Sequence, residues 1–261
     1  MSDMPGLKLG KQPATKDPRD LMFAKYVDES KLPTPPAQFG HESLFPSNGW
    51  GMLGNDEWGD CAWAGPAHET MLLSKEGDKP VTFDTAGVLS DYSAGTGFDP
   101  HAGPPGHNPT DQGSNVRAVL DYRSKTGIVD TNGTHHQIGA FIKLEPKNLT
   151  HIFQALYLFQ VVGIGIEFPE FAMGQFNKGE PWDVIPNAPE PEGGHYVCCV
   201  GKKENIDVVT WGALQQMTVA FFERYCDEAW TYISEEDLKE GKNLEGFDVG
   251  QLSADLAALA K

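Results

Sequence analysis

Apolar positions recur at helical spacing in three stretches of the chain. Residues 61–76 carry Ala64, Ala67, Met71 and Leu72 at that spacing, with Asp60 placed to offer a side-chain oxygen to the first free N–H groups. Pro66 inside this stretch must remove a backbone hydrogen bond or bend the helix. Residues 114–126, with Val116, Val119, Leu120 and Tyr122, predict a second helix, and "NLTHIFQALYLFQ" at 148–160 a third with Asn148 as its cap. The uninterrupted apolar run "VVGIGIEF" at 161–168 predicts a buried strand. "HYVCCVG" at 195–201 and "IDVVTWG" at 206–212 are two more, and the short polar turn between them makes a hairpin. Residues 217–234 have the pattern of an amphipathic helix or a strand–helix mix, and "SADLAALAK" that of a short terminal helix. The Gly-rich stretch 49–60 and the Gly/Pro-rich stretch 93–113 predict loops. The first 48 residues, rich in Pro, Lys and Asp and containing "LPTPPAQFG", predict an arm that packs on the domain or on a neighbour. The expected organisation is an arm at 1–48, one domain at 49–235 and a tail with a short helix at 236–261.

Composition narrows the class. The chain has 261 residues, 39% of them hydrophobic, enough for one full core with an appended arm. No apolar run approaches the roughly 18 residues of a membrane span, and the start "MSDMPGLKLGKQPATKDPRD" lacks a signal-peptide core. The expectation is no membrane partner, no secretion by a signal peptide, and a cytoplasmic or virion-associated location. A net charge of −17 repels phosphate backbones, so no nucleic-acid partner is expected. Cys61, Cys198, Cys199 and Cys226 have neither disulfide-framework nor zinc spacing. No metal and no cofactor are implied. Cys198 and Cys199 should point to opposite faces of one strand.

The candidate chemistry lies in "GNDEWGDCAWAG" at 54–65. A nucleophilic thiol needs a depressed pKa, a base within reach and donors for the oxyanion formed on acyl transfer. Cys61 opens the predicted helix, whose N-terminus favours a thiolate. Asn55, on the loop ahead of it, has a side-chain N–H for an oxyanion, and the Cys61 backbone N–H is a second donor. His195, in "EGGHYVCCVG", is the candidate base.

The order of these features resembles the papain-like cysteine peptidase superfamily, from about Leu32 to Ser234. A Gly-rich loop with an amide donor precedes a Cys at the head of a helix. A Gly-His follows at the start of a buried strand, within the roughly 130–150 residues that papain-like enzymes place between Cys and His. A hairpin then ends in Thr210-Trp211-Gly212, ahead of a stretch rich in Tyr and Phe. The "GND…GDC" wording is similar to divergent bacterial and bacteriophage-type members. The resemblance implies an α+β papain-like fold: a helical lobe headed by Cys61, a twisted antiparallel β-sheet lobe carrying His195, and a cleft for a peptide or amide substrate. It implies a Cys–His hydrolase working through an acyl-thioester intermediate.

The chain departs from the family pattern at several points. Asn55 stands where the family usually has Gln. Trp58-Gly59-Asp60-Cys61-Ala62 replaces Cys-Gly-Ser-Cys-Trp, and Asp60 raises the thiol pKa unless capping takes up its charge. The family's His-orienting Asn, two places before the Trp, is Val209 here. Thr210 fills the role if a bulge shifts the register, and Asp207 is the alternative, near the turn and expected to be solvated. These departures motivate a rival from another class: an inactive papain-like scaffold, such as a virion component, meeting a homo-oligomer or assembly partner through the N-terminal arm. The stretch ahead of Cys61 is shorter than a secreted peptidase's prosegment, and an uninhibited peptidase is hard to keep in a cytosol. Elsewhere, His68 is expected to be a hydrogen-bonded histidine rather than a competing base. Asp99, His101, His107 and Asp111, and the pair His135-His136, are expected to be loop residues rather than metal ligands.

Overall fold

The computed structural model describes residues 7–233 and 248–259. The predicted first helix, α1, runs Cys61–Glu76 without a break at Pro66. Pro66 lies in the helix's second turn, where the carbonyl opposite its missing N–H is that of Ala62. Asp60 holds the N-cap position, but its side chain makes no cap hydrogen bond, which corrects the capping expectation. α2 (Thr85–Thr96) was not anticipated; Asp84 caps it by accepting from Gly87 N–H. It takes in the beginning of the expected 93–113 loop. α3 (Val116–Lys125) and α4 (Leu149–Phe159) fall where the periodicity placed them, each capped by an asparagine side chain, Asn115 and Asn148.

The strands follow a short β1 (Phe39–Gly40) and a small β2–β3 pair (Ile128–Val129, His135–His136). The main sheet is built from β4 (Ala140–Leu144), β5 (Val162–Phe168), β6 (Gly193–Lys202), β7 (Ile206–Thr210), β8 (Ala213–Met217) and β9 (Cys226–Ile233). Its order is β4-β9-β5-β6-β7-β8, with β1 added alongside β6, and every pairing is antiparallel. α5 (Glu170–Asn177) follows β5, α6 (Val219–Tyr225) leads directly into β9, and α7 (Val249–Leu259) closes the described chain. The mixed 217–234 stretch thus resolves into helix then strand, its last residue lying outside the described residues. So do residues 236–247 of the expected tail.

Both faces of the sheet are buried, which explains why β5 to β7 are continuous apolar runs rather than alternating ones. One face packs on α1 to α3, around Trp63, Leu72, Tyr92 and Leu120, with Tyr196, Cys198, Val200 and Val209 contributed by the strands. The other packs on α4 and α6 with Val197, Cys199, Val208, Phe221 and Phe222. Cys198 and Cys199 accordingly serve opposite cores, and all four cysteines are free and buried. The N-terminal residues share in this packing: Phe23 and Tyr26 are buried in the second core, and β1 pairs with the end of β6. This is an α+β fold of helices against a twisted antiparallel sheet.

A buried polar network joins the two halves. The Arg123 guanidinium on α3 meets the Glu69 carboxylate on α1 at 2.6 Å. Tyr196 on β6 donates to the same carboxylate at 2.6 Å, and its hydroxyl lies 2.5 Å from that of Tyr232 on β9. Burying such charges is tolerable because each is paired.

Candidate active site

Cys61 sits at the first turn of α1, 1% exposed, and its Sγ accepts the Tyr196 backbone N–H at 3.4 Å. Tyr196 is the neighbour of His195, so α1 and β6 bring thiol and imidazole to the same place. His195 is fully buried and its Nε2 lies 2.7 Å from Thr210 Oγ1. Its Nδ1 has no hydrogen-bond partner, so Cys61 and His195 are not hydrogen-bonded to each other in this state. The ring stacks on Trp211, 4.3 Å between centroids and 17° between planes, and meets Phe168 edge-on.

Strand parity decides which residue reaches the imidazole. On β7, Ile206 and Val208 face the core that holds Val197 and Cys199, and Thr210 continues that face. His195 has the parity of Val197 and Cys199 on β6. Val209 faces the opposite core with Tyr196 and Cys198. The pairing slips between Cys199 and Gly201, a bulge beyond the site. Asp207 shares Val209's parity. It lies 3.5 Å from the Lys203 ammonium and accepts from Gln216, away from His195. It is also 1% exposed, not solvated as the sequence suggested. Trp211 and Gly212 form the two-residue turn into β8 with φ of 43° and 71°, the left-handed pair a tight hairpin requires. That turn holds the indole beneath His195.

Asn55 is buried on the loop before α1. Its Nδ2 donates to Trp58 O at 3.0 Å and to Lys8 O at 3.2 Å. The second partner belongs to a strand of chain that crosses the whole site. Lys8 N–H donates to Asn55 O, and Lys8 O also accepts the Trp211 indole N–H at 3.2 Å. Gly10 and Lys11 N–H both donate to Gly194 O, while Gly10 O accepts from Ser114 and Gln12 N–H donates back to Ser114 O. The passage is tight. A Cβ on Gly10 would lie 1.8 Å from Gly59 O, and one on Gly194 would lie 2.1 Å from Lys11 O. Residues 7–12 therefore lie between the loop before α1 and the start of β6, tied to both.

This cover sets the electrostatics. Burial pushes the Cys61 thiol up to about 12, opposed by the Tyr196 and Gly10 N–H groups and by the Lys11 ammonium, and reinforced by Asp60. Burial pulls His195 down to about 3. Thiol and imidazole are both neutral with the cleft covered. Asp60 is fully buried, neither of its carboxylate oxygens has a hydrogen-bond partner, and desolvation holds its pKa well above the usual carboxylate range.

The remaining candidates lie elsewhere. His68 Nε2 is 2.9 Å from Gly51 O, and burial lowers its pKa to about 4. Asp99 accepts from His101 N–H, and Asp111 accepts from Gly59 N–H and the Tyr92 hydroxyl. His136 pairs with Asp130 at 3.0 Å. No group of three or more His, Cys, Asp or Glu that could hold a metal occurs among the described residues. Sequence reasoning did not find the part of the arm that fills the cleft. "LKLGKQ" has no periodicity, and only its glycine, between Leu9 and Lys11, hints at a close passage.

This architecture is the papain-like fold. Xylellain, a cysteine protease from Xylella fastidiosa, superposes with a TM-score of 0.67 at 14% identity, over 90% of this chain and 98% of that one. Procathepsin B S9 from Trypanosoma congolense gives 0.57 at 11% identity, over 87% of each chain. The cysteine protease and lectin-like domains of Cwp84 from Clostridium difficile give 0.52 at 13%, over 78% of this chain and 53% of that one. No protein-family model and no curated protein sequence matches the chain.

Proposed function

We propose that the protein is a papain-like Cys–His hydrolase of peptide or amide bonds, held latent by its own residues 7–12. The observation that carries this reading is the convergence of Cys61, His195, Thr210 and Asn55 around one stretch of bound peptide backbone. With Nε2–H donating to Thr210, His195 keeps the Nδ1 lone pair as the base. His195 takes the Cys61 proton, and the thiolate attacks the substrate carbonyl. Asn55 Nδ2, which already donates to a carbonyl oxygen, and the Cys61 N–H hold the oxyanion. The imidazolium protonates the leaving amine, and water, deprotonated by His195, releases the acyl group and the thiol.

The arm's direction accounts for its survival. His195 stacks on Trp211, so the leaving amine departs over Trp211, where Lys8 lies. The acyl side is the opposite one, where Lys11 lies. The arm therefore runs from the leaving-group side to the acyl side, whereas a substrate chain runs from acyl to leaving group. Its backbone is bound in reverse, and the neutral dyad beneath it lacks the thiolate that would attack. Residues 7–12, ahead of Cys61, supply the block.

The test is the rate of Cys61 alkylation against pH, followed by mass spectrometry, in the full chain and in Gly10→Val, with His195→Ala in each background. Gly10→Val places atoms where Gly59 O stands and lifts the arm. Slow alkylation of the parent is expected, with fast reaction well below pH 8 in Gly10→Val that disappears with His195→Ala. A thiol in Gly10→Val that titrates near 8.5, as free cysteine does, regardless of His195, would sink the hydrolase reading in favour of the inactive scaffold.

A further inference from the structure

Lys11 is the most buried cation of the arm. Its side chain is 2% exposed, its Nζ lies 2.7 Å from Asp227 Oδ2 and 3.4 Å from Glu228 Oε1, and it donates to Gln12 O. Glu228, 1% exposed, is fixed by the Trp230 indole, which donates to its Oε2 and leaves Oε1 turned to the ammonium. Asp227 Oδ1 is buried with no hydrogen-bond partner. The floor of this pocket is Gly165, opposite Glu228 in the β5–β9 ladder just before a register slip. A Cβ there would lie 2.0 Å from Lys11 Cε and 2.6 Å from Glu228 Cγ. The missing side chain is the space that the lysine stem occupies.

We infer that this pocket, made by Gly165, Asp227 and Glu228, is the specificity site of the cleft, and that it selects peptides carrying a lysine or arginine on the acyl side of the bond to be cut. The assignment to the acyl side rests on the hydrolase reading given above; the preference for a cation rests on the pocket alone. Two carboxylates share a mostly buried site, so an apolar occupant would leave like charges facing each other without compensation. A basic side chain neutralises them, and its aliphatic stem fits the channel over Gly165. Lys11 occupies the pocket from the reversed arm, so seating of the arm and entry of a basic substrate compete for the same two acids. Burial raises the Glu228 pKa, and Lys11 opposes that shift, as a cation-dependent site requires.

The test uses the full chain and two readouts. The first is Cys61 alkylation at fixed pH, which reports whether the arm is seated and needs no turnover. Lys11→Arg should stay closed, while Lys11→Met should react at least tenfold faster. Adding Asp227→Asn and Glu228→Gln to Lys11→Met should restore closure, because the pocket then accepts a neutral stem. Equal rates for Lys11→Arg and Lys11→Met would overturn the pocket's cation preference. The second readout is cleavage by Lys11→Met of fluorogenic peptides that differ only in Lys, Arg, norleucine or Glu on the acyl side. At least a tenfold preference for the basic members is expected, and that ratio should collapse with Asp227→Asn, Glu228→Gln. Cleavage without a preference overturns the pocket and leaves the hydrolase standing. A charge-dependent arm with no cleavage of any peptide overturns the hydrolase and leaves the pocket's cation preference standing.

Discussion

Thr210→Val tests the structural logic of the site, because it keeps the shape of the side chain and removes one oxygen. Thr210 Oγ1 and His195 Nε2 are 2.7 Å apart, with the two residues 3% and 0% exposed. His195 Nδ1 already has no partner, so the variant would leave both ring nitrogens unpaired in a fully buried ring. An orphaned buried polar group costs about 1–3 kcal/mol, and no water replaces the hydroxyl without opening the packing of Trp211 and Phe168. A loss of about 1–3 kcal/mol in urea unfolding, with an unchanged m value, is therefore expected. The imidazole also loses the contact that fixes its rotation. In the Gly10→Val background, acid-limb alkylation of Cys61 should fall by roughly tenfold or more, an effect of about 1.4 kcal/mol on the barrier. Thr210→Ser keeps the hydroxyl and should recover most of both effects. A Thr210→Val protein as stable as its parent, with the same pH profile for Cys61, would refute the claim that this hydroxyl orients His195.

Three further outcomes follow from buried groups. Arg123→Leu strands the Glu69 carboxylate, which is 0% exposed, and should cost about 3–5 kcal/mol; the double variant Arg123→Leu, Glu69→Leu should recover much of that loss in the same denaturant titration. His68 is held neutral, from an ordinary 6.5 down to about 4. Its contribution is intact above pH 6.5 and is lost as pH falls towards 4, because the unfolded chain binds the proton first. Relative to His68→Asn, the wild type should therefore lose on the order of 3 kcal/mol across that window, and parallel stability curves for the two would contradict the assignment. Asp60 has the opposite sign: its folded pKa is raised, so its stabilising protonation is fully present below the unfolded pKa of 3.8 and is lost as pH rises. Thermal melts of Asp60→Asn should show a gain over wild type at pH 7 that shrinks near pH 4.

The parts of the fold and site that were legible in the sequence are those whose signals are local. Val116, Val119 and Leu120 on α3, Asn148 at the head of α4 and the apolar runs of β5 and β6 announce their own elements. Cys61, Asn55 and His195 could be singled out because each has a distinctive neighbourhood of glycines or helix-start residues. What could not be read depends on contacts between distant segments. α2, with alanines and glycines among its apolar residues, has too weak a stripe to announce a helix, and it is fixed by the Asp84 cap and by packing against Trp63. Asp60 was expected to cap α1, but the loop turns its carboxylate inward beside Gly54, so the helix start is left to other groups.

The arm is the sharpest case of that distinction. Leu7 to Gln12 forms no helix and no strand of its own, so nothing periodic betrays it. Its placement depends on glycines contributed by four different parts of the chain: Gly10 itself, Gly59 before α1, Gly113 before α3 and Gly194 at the head of β6. Each removes a side chain at the one place where two backbones meet, and together they open a channel just wide enough for an extended strand. A channel that admits a backbone over Cys61 and His195, between the loop before α1 and the start of β6, is also the shape a hydrolase needs for an extended substrate. On the proposed hydrolase reading the same glycines serve closure and substrate binding, so Gly194→Ala should loosen the arm and raise the KM for peptides together, whereas Lys11→Met should loosen the arm and leave the glycine channel open to substrate.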